Sequence, residues 1–179
     1  MSQKIRLNDK EFESFIQKEE IDNKLNELAQ AINKEYKEKH PLILCILNGS
    51  FIFAADLVRK LDFPLHIEFV RYASYKGTSS TGEVKKIVGL RTRIKGRDIL
   101  IVEDIIDTGL TLTKALEDLV VQQPNSVKIA TLLFKPDCLK HDLNIDYIGF
   151  EIPDDFVVGY GLDYDELGRD LPDIYKLSS

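Results

Sequence analysis

Ile99-Leu-Ile-Val-Glu103-Asp104-Ile-Ile-Asp107-Thr108-Gly109-Leu-Thr111-Leu112 runs from an apolar segment through three acids into a polar turn. The four aliphatic residues at its start are typical of a strand that is buried on both faces of a sheet. We expect this central strand to cover residues 98–103. It should end at the acidic pair, because neighbouring side chains on a strand point to opposite faces and could not reach one ligand together.

The order of strand, acids and turn predicts a binding site for a phosphorylated sugar. In an open α/β sheet, ligands bind beyond the carboxyl ends of the strands. Free backbone N–H groups at a helix N-terminus attract phosphate, and carboxylates beside a phosphate call for a metal ion or a hydroxyl-rich ligand. Two plainer interpretations stay open: a solvated acidic strand end, and an ordinary N-cap at Asp107 or Thr108.

Strands and helices alternate along the rest of the chain, which predicts an α/β fold with a mainly parallel central sheet flanked by helices. Phe12, Phe15 and Ile16 suggest a short helix after Asn8 or Asp9, and the polar residues 73–83 a loop. Apolar runs predict further strands at 42–47, 65–72, 84–90, 127–134 and 145–151. Helical spacing joins Ile21, Leu25, Leu28, Ile32 and Tyr36; Phe51, Ala54, Ala55 and Val58; and Leu112, Ala115, Leu116 and Leu119.

The composition suits one globular domain over residues 1–179. The chain is 44% hydrophobic and 30% charged, and it shows no repeat or linker. Its apolar runs are too short to cross a bilayer and its first residues do not form a signal peptide, so we expect a cytoplasmic protein with no membrane partner. Cys45 and Cys138 do not have the spacing of a disulfide framework or a zinc site, and we expect inert thiols.

The net charge of the chain restricts which kinds of ligand it can bind. Thirty acidic against 24 basic residues give a net charge of −6, which argues against nucleic acid as a ligand. A small polyanion is still compatible with this charge. An acidic protein that holds a pyrophosphate has to neutralise it, and bridging Mg²⁺ does so because hard cations join carboxylates to phosphates.

The segment 103–111 resembles the phosphoribosyl pyrophosphate motif of the type I purine phosphoribosyltransferases. The resemblance extends from about Pro41 to Leu171, with the motifs in the same order. Upstream, Leu47-Asn48-Gly49-Ser50 is similar to the pyrophosphate loop of that family, and Ser74-Tyr75 to its mobile lid. The resemblance implies the family's fold, in which a small hood built from terminal segments covers the parallel sheet.

Two downstream features carry the resemblance further. Lys135 ends an apolar run and resembles the lysine that recognises the purine. The segment from Phe156-Val157 through Asp163 to Arg169 is similar to the one that binds base and pyrophosphate. The acidic strand end in combination with this segment is a far more specific signal than either alone.

The activity implied by the resemblance is transfer of the 5-phosphoribosyl group from phosphoribosyl pyrophosphate to N9 of hypoxanthine or guanine, with release of pyrophosphate. Asp107 is the implied general base near purine N7, and a positioned base typically contributes about 10²–10⁴-fold. Glu103 and Asp104 are implied to accept hydrogen bonds from the ribose hydroxyls beside Mg²⁺. The residues implied for the 5′-phosphate are Asp107, Thr108, Gly109, Leu110 and Thr111.

The implied purine site places the base against the ring of Phe156, with Lys135 donating to a 6-oxo group that adenine lacks. The complete set is Ile105, Lys135, Phe156, Val157 and Asp163. The family implies pyrophosphate contacts from Asn48, Gly49 and Arg169. It implies Mg²⁺ ligands at Glu103 and Asp104, and at Asp163 for a second Mg²⁺ near the base. It further suggests a non-proline cis peptide at Asn48-Gly49, and many relatives carry Lys where this chain has Asn48.

Several alternatives remain at this level. A core role for Phe156, a solvated Lys135 and a plain surface loop around Ser74-Tyr75 are each compatible with the residues alone. Among functions, a xanthine-preferring phosphoribosyltransferase is the nearest alternative; an RNA-binding relative would need a more basic surface. A phosphoryl-transfer protein using Asp104 or Asp107 as nucleophile would leave Lys135 and Phe156 without a role. The resemblance also implies a homodimer or homotetramer.

Overall fold

A six-stranded sheet organises the computed structural model, which describes residues 4–74 and 84–178. Its strands follow the order β5-β4-β3-β6-β7-β8, and all neighbours are parallel except β4 and β5. The bounds are β3 Leu42–Leu47, β4 His66–Ser74, β5 Val84–Val88, β6 Asp98–Ile106, β7 Ser126–Phe134 and β8 Tyr147–Glu151. The mainly parallel sheet that the alternating pattern predicts is confirmed.

Helices cover both faces of this sheet. Helices α1 (Lys18–Tyr36) and α2 (Phe51–Val58) pack on one face, against side chains such as Cys45 and Val102. Helix α3 (Leu110–Val120) packs on the other face, against side chains such as Leu44 and Ile101. Strands β3 and β6 are therefore buried on both sides, which is why they read as unbroken aliphatic runs.

A second, four-stranded antiparallel sheet forms the hood over the carboxyl ends of the parallel strands. It joins β1 (Lys4–Leu7) and β2 (Lys10–Ile16) to β10 (Ile174–Leu177) and β9 (Val157–Val158), in the order β1-β2-β10-β9. Both ends of the described chain thus contribute to one small sheet. Its core contains Phe12, Val158 and Tyr175.

The short helix predicted around Phe12, Phe15 and Ile16 is wrong, because these residues lie in β2. The register of β2 against β10 shifts between Ile174 and Tyr175, so the alternation of inward and outward side chains is interrupted there. The resulting spacing of apolar residues imitates a helix. The strand forms because its partner, β10, lies at the far end of the sequence.

Other boundaries differ in ways that affect the site. Strand β6 continues to Ile106, three residues beyond the predicted end, so the acidic pair lies within the strand. Helix α2 buries Phe53, Ala54 and Leu57 and leaves Phe51 exposed, so its inner face is rotated from the predicted one. Of the predicted loop and lid, Ser74 ends β4, whereas Tyr75 and the rest of 75–83 lie outside the described residues.

No helix in the described ranges combines the length and the apolar character that crossing a bilayer requires. The thiols of Cys45 and Cys138 are both free, the first buried and the second partly exposed.

Candidate active site

The turn between β6 and α3 encloses a cavity of about 90 Å³ at the carboxyl end of the sheet. Gly109 is the N-cap of α3 and has a φ of 83°, a left-handed conformation that glycine adopts without steric cost. The first N–H groups of the helix lack intrahelical partners and face this turn. The cavity is lined by Glu103 and by residues 105–112, which include all the predicted phosphate-binding residues.

The open question of the N-cap is settled by this geometry. Gly109, rather than Asp107 or Thr108, occupies the cap position. The Thr108 hydroxyl accepts a long hydrogen bond from the Leu110 N–H at 3.4 Å, and the Thr113 hydroxyl donates to the Gly109 carbonyl. The Asp107 side chain is exposed, so its carboxylate is available to a ligand.

Glu103 is a buried acid with an unsatisfied oxygen. Its side chain lines the cavity, and its Oε2 atom has no hydrogen-bond partner among the described residues. Burial, followed by the neighbouring Asp104 charge, raises the pKa of Glu103 well above its usual value. An orphaned buried carboxylate is costly, so a site that retains one is suited to a ligand with hydroxyl donors or a cation.

Asp104 faces the loop between β3 and α2. A Cβ atom added to Gly49 would lie 1.5 Å from Asp104 Oδ2, so only glycine leaves room for this carboxylate. Oδ1 accepts a hydrogen bond from the Ile105 N–H at 2.9 Å. Burial raises the pKa of Asp104 to about 6, and backbone hydrogen bonds and the Arg169 charge partly oppose that shift.

The two acids therefore lie on different walls of the site. Glu103 lines the phosphate cavity, whereas Asp104 lies against the Gly49 loop. The expectation that the strand ends at the acidic pair is wrong, because β6 continues through both acids to Ile106. A ligand that bridges the cavity and the loop can meet both carboxylates without breaking the strand.

Lys135 lies at the end of β7 with its side chain buried. Its Nζ donates to Asp154 Oδ1 at 2.9 Å, and the exposed fractions of the two side chains are 9% and 71%. The solvated-lysine interpretation is therefore wrong. Sequence reasoning missed Asp154, since nothing in the Asp154-Asp155 pair indicates which acid turns toward the lysine.

Phe156 presents its ring to solvent at the edge of the hood, with 44% of the residue exposed. Its ring centroid is 6.3 Å from that of Phe12 and 5.8 Å from that of Tyr164, which meets it edge-on. The Lys10 ammonium lies 5.5 Å from the Phe156 centroid. A half-exposed ring held from behind suits a stacking surface, and the core interpretation of Phe156 is wrong.

Two of the other three residues predicted for the purine, Val157 and Ile105, lie in different parts of the structure. Val157 is buried in β9, directly after Phe156. Ile105 is half-buried and lines the cavity beside Glu103. Ile105 therefore lines the phosphate cavity and also packs against the hydrophobic core beneath α1 and α2.

Arg169 is fixed by two contacts within the C-terminal segment. Its guanidinium donates to the Gly161 carbonyl at 2.6 Å and forms an ion pair with Asp163 at 2.6 Å. The second oxygen of Asp163 accepts the Glu166 N–H at 2.9 Å. The structure therefore brings Asp163 and Arg169 together, near enough to Asp104 for both to influence its pKa.

The loop after β3 carries a non-proline cis peptide, and it lies between Leu47 and Asn48. The expected position, Asn48-Gly49, was wrong by one bond. Asn48 is exposed and Gly49 is buried against Asp104. The loop is followed directly by α2, whose N-cap residue Ser50 donates to the Ile46 carbonyl.

The carboxylates of Glu103 and Asp104 are hard oxygen donors of the kind that Mg²⁺ prefers, and the unsatisfied Glu103 oxygen fits a cation or a hydroxyl ligand. Asp163 is already paired with Arg169. Within the described ranges, the one group of three or more acids, cysteines and histidines whose donor atoms all lie within 4.8 Å of one another is Asp107, Cys138 and Asp154, not the predicted metal set. The predicted ligands thus line the site without converging on one point.

Comparison with known proteins gives a consistent result. Residues 15–165 match the family model described as a phosphoribosyl transferase domain. The chain is 48% identical over 159 residues to the hypoxanthine-guanine phosphoribosyltransferase of Bacillus subtilis, covering 88% of each chain. It is 50% identical over 159 residues to the enzyme of that name from Lactococcus lactis, covering 88% of this chain and 86% of the relative.

Solved structures agree in fold. A hypoxanthine phosphoribosyltransferase from Staphylococcus aureus superposes with a TM-score of 0.88 at 44% identity, over 92% of this chain and 90% of that one. A hypoxanthine phosphoribosyltransferase from Trypanosoma cruzi superposes with a TM-score of 0.85 at 37% identity, over 99% and 96% of the two chains.

Proposed function

The chain belongs to the phosphoribosyl transferase family, and we propose that it transfers the 5-phosphoribosyl group of phosphoribosyl pyrophosphate to N9 of hypoxanthine or guanine, forming IMP or GMP and pyrophosphate. It is a pentosyl-transferring enzyme of purine salvage, acting as one domain over residues 1–179. The observation that carries this proposal is the juxtaposition, at one sheet edge, of a phosphate cavity, an exposed carboxylate at Asp107 and a buried ammonium at Lys135.

The phosphate and ribose are held by the end of β6 and the start of α3. The N–H groups of the turn 108–111 bind the 5′-phosphate, aided by the positive end of the helix dipole. Glu103 and Asp104 accept hydrogen bonds from the ribose hydroxyls. This contact would satisfy the Glu103 oxygen that has no partner within residues 4–74 and 84–178.

The purine is held at the open end of the same edge. Phe156 stacks on one face of the base, Ile105 contacts the other, and the Val157 backbone meets its polar edge. Lys135 donates to the 6-oxo group, which selects hypoxanthine and guanine over adenine. Asp107 accepts the N7 proton, so that electron density rises at the nitrogen that attacks ribose C1.

Pyrophosphate leaves between the Asn48-Gly49 loop and Arg169. The Gly49 amide and the Arg169 guanidinium, which is fixed by Asp163, supply donors to the leaving oxygens. Glu103 and Asp104 would hold one Mg²⁺ and Asp163 a second one near the base; Mg²⁺ supplies charge neutralisation of the pyrophosphate when bound. The segment of Ser74 and Tyr75 is proposed to exclude water from the oxocarbenium-like transition state.

The proposal also covers the oligomeric state of the protein and its cellular compartment. Phe51, Ile67 and Phe69 are exposed apolar residues around a shallow cavity of about 320 Å³ between α2 and β4, and we propose that such surfaces support a homodimer or homotetramer. Light scattering on a size-exclusion column tests this. Two free cysteines suit a reducing compartment, and we propose the cytoplasm.

The test is pyrophosphate release with each of hypoxanthine, guanine, xanthine and adenine, with and without Mg²⁺. The proposal predicts rapid release with hypoxanthine and guanine, loss of release without Mg²⁺, and little with adenine because Lys135 has no 6-oxo acceptor. A clear preference for xanthine would replace the proposed substrate by the nearest alternative. Absence of release with all four bases would overturn the proposal.

A further inference from the structure

Cys138 and Asp154 lie between the two groups proposed to read the purine, Asp107 and Lys135. A carboxylate oxygen of Asp107, the sulfur of Cys138 and a carboxylate oxygen of Asp154 all lie within 4.8 Å of one another. Asp154 in turn accepts a hydrogen bond from Lys135 Nζ at 2.9 Å. The four side chains therefore form one continuous polar chain across three separate segments of the sequence.

Main-chain hydrogen bonds fix these segments at the ends of neighbouring strands. The Lys135 N–H donates to the Ile106 carbonyl at 2.9 Å, which sets the lysine beside the residue that precedes Asp107. The Ile152 N–H donates to the Phe134 carbonyl at 2.8 Å, which brings the Asp154 segment alongside Lys135. A 3₁₀ turn over Pro136–Cys138 returns the thiol toward the lysine, with the Cys138 N–H donating to the Lys135 carbonyl.

The protonation states suit such a chain. Desolvation first, and then the carboxylates of Asp154 and Asp107, raise the pKa of the Cys138 thiol to about 11. The thiol is therefore a neutral S–H donor at physiological pH. The Lys135 hydrogen bond, followed by that of Cys138, holds the pKa of Asp154 below its usual value, so Asp154 is an acceptor-only carboxylate.

We infer that Asp154 and Cys138 are positioning residues that set Lys135 and Asp107 at a fixed spacing for the O6 and N7 edge of a 6-oxopurine. This inference rests on the proposed function. O6 and N7 are neighbours on one edge of such a base. Asp154 takes one of the three N–H donors of Lys135 and leaves the others for O6. The Cys138 sulfur lies within 4.8 Å of a carboxylate oxygen of each acid, so it sets the spacing of Asp154 and Asp107 and places the donor for O6 and the acceptor at N7 as one unit.

The exposure of the two partners decides what the ion pair contributes. The Asp154 side chain is 71% exposed, and an ion pair with so much solvent access adds little to folding stability. The Lys135 side chain is 9% exposed, so Asp154 is its main polar partner without substrate. The pair therefore acts on the orientation of the ammonium and on purine affinity, rather than on stability.

Asp154→Asn is the test, with Asp155→Asn as its matched control. Asp155 is the adjacent acid, and its carboxylate has no ion pair within the described parts of the chain. We expect Asp154→Asn to raise KM for hypoxanthine by about tenfold or more while KM for phosphoribosyl pyrophosphate changes less than about threefold, since one charge-assisted contact is lost on the purine side only. The preference for hypoxanthine over adenine should fall in the same variant.

Two variants of Cys138 and a conservative variant of Asp154 test the inference further. We expect Cys138→Ala to raise the purine KM by a smaller factor and Cys138→Ser, which keeps a donor, to restore most of the loss. Asp154→Glu should recover part of the affinity lost in Asp154→Asn. Unchanged melting temperatures would separate these effects from loss of folding.

The outcomes discriminate between the two proposals. An active wild-type enzyme whose Asp154→Asn variant keeps the wild-type purine KM and selectivity would overturn the inference and leave the function intact. An equal rise in KM for both substrates would also overturn it, because the effect would not be confined to the base. A wild-type protein without transferase activity would overturn the proposed function and this inference together.

Discussion

Gly161 packs against Gly49 so closely that a Cβ atom on Gly161 would lie 2.1 Å from the Gly49 carbonyl oxygen. The contact joins the loop after β3 to the C-terminal segment that carries Asp163 and Arg169. Gly49 in turn lies against the Asp104 carboxylate. Two glycines thus bring the acidic strand, the loop and the arginine to one place, and any side chain at either position would separate them.

The first prediction concerns this contact. Gly161→Ala should weaken binding of phosphoribosyl pyrophosphate strongly, because the new methyl meets backbone rather than a movable side chain and because φ at this position is +102°. Gly96→Ala is the control, since Gly96 has a φ of +71° and no atom of the described residues lies within 4 Å of an added Cβ. Both variants carry the backbone cost of a positive φ, about 1 kcal/mol. Only Gly161→Ala adds a clash with the Gly49 carbonyl, so it should be the more destabilised variant.

Calorimetric titration with phosphoribosyl pyrophosphate and Mg²⁺ measures the affinity, and thermal unfolding measures the stability. Equal behaviour of Gly161→Ala and Gly96→Ala in both measurements would mean that the close approach to Gly49 has no function.

The second prediction follows from the unpaired oxygen of Glu103. Glu103→Gln should raise the melting temperature of the free protein at mildly alkaline pH. Burial raises the pKa of Glu103, so above the ordinary pKa of a glutamate the folded state bears the cost of either a buried charge or a protonated acid, and glutamine removes that cost. A gain of about 1 kcal/mol corresponds to roughly 3 °C in a domain of this size. The same variant should lose most of its transferase activity, since sites that bind polar ligands retain groups that are costly without them.

Glu38→Gln is the matched control for that variant, because Glu38 is exposed after α1 and should change neither property. A destabilised Glu103→Gln protein would show that the buried carboxylate has a structural partner and would contradict this account of the ribose contact.

The third prediction separates the two roles of Asp107. Asp107→Asn should lower kcat by about 10²–10⁴-fold while KM for phosphoribosyl pyrophosphate stays within severalfold, because the amide keeps the shape but cannot accept the N7 proton. Steady-state kinetics with both substrates varied makes the distinction. A comparable loss in binding of the sugar substrate would make Asp107 a scaffold of the phosphate turn.

The fourth prediction is a pH dependence. The pKa of Cys138 is about 11, so the thiolate fraction, and with it the rate of alkylation by iodoacetamide, should keep rising about tenfold per pH unit where an ordinary thiol has levelled off. Asp154→Asn should shift the profile to lower pH, because one of the carboxylates that raises this pKa is neutralised. Asp155→Asn should not.

Mass spectrometry of the native protein follows this reaction, and buried Cys45 provides an unreactive internal reference. Circular dichroism at each pH checks that the protein stays folded. A rate that levels off at the pH of a free thiol would remove Cys138 from contact with the two acids.

The parallel sheet and the phosphate turn could be predicted from the sequence because their signals are local. Strands such as β3 and β6 are continuous aliphatic runs, and the acids and glycine of the turn follow within a few residues. Lys135 and Phe156 were identified by resemblance. Lys135 is buried and Phe156 is exposed, as their proposed roles require.

Long-range contacts decided what the sequence could not show. Strand β2 pairs with β10, more than 150 residues away, and its interrupted alternation gave a false helical spacing. Asp154 turns toward Lys135 while the adjacent Asp155 does not, a choice set by how the segment after β8 lies on β7. The continuation of β6 beyond its acids depends on pairing with β7, which extends as far as Ile106 and Phe134.

A crystal structure with phosphoribosyl pyrophosphate, Mg²⁺ and an unreactive 6-oxopurine analogue tests the central claim most directly. The account predicts the 5′-phosphate in the turn 108–111, the ribose hydroxyls on Glu103 and Asp104, and the base on Phe156 with its O6 atom at Lys135. A sugar phosphate bound elsewhere under saturating conditions, with this turn and its acids free of ligand, would contradict it.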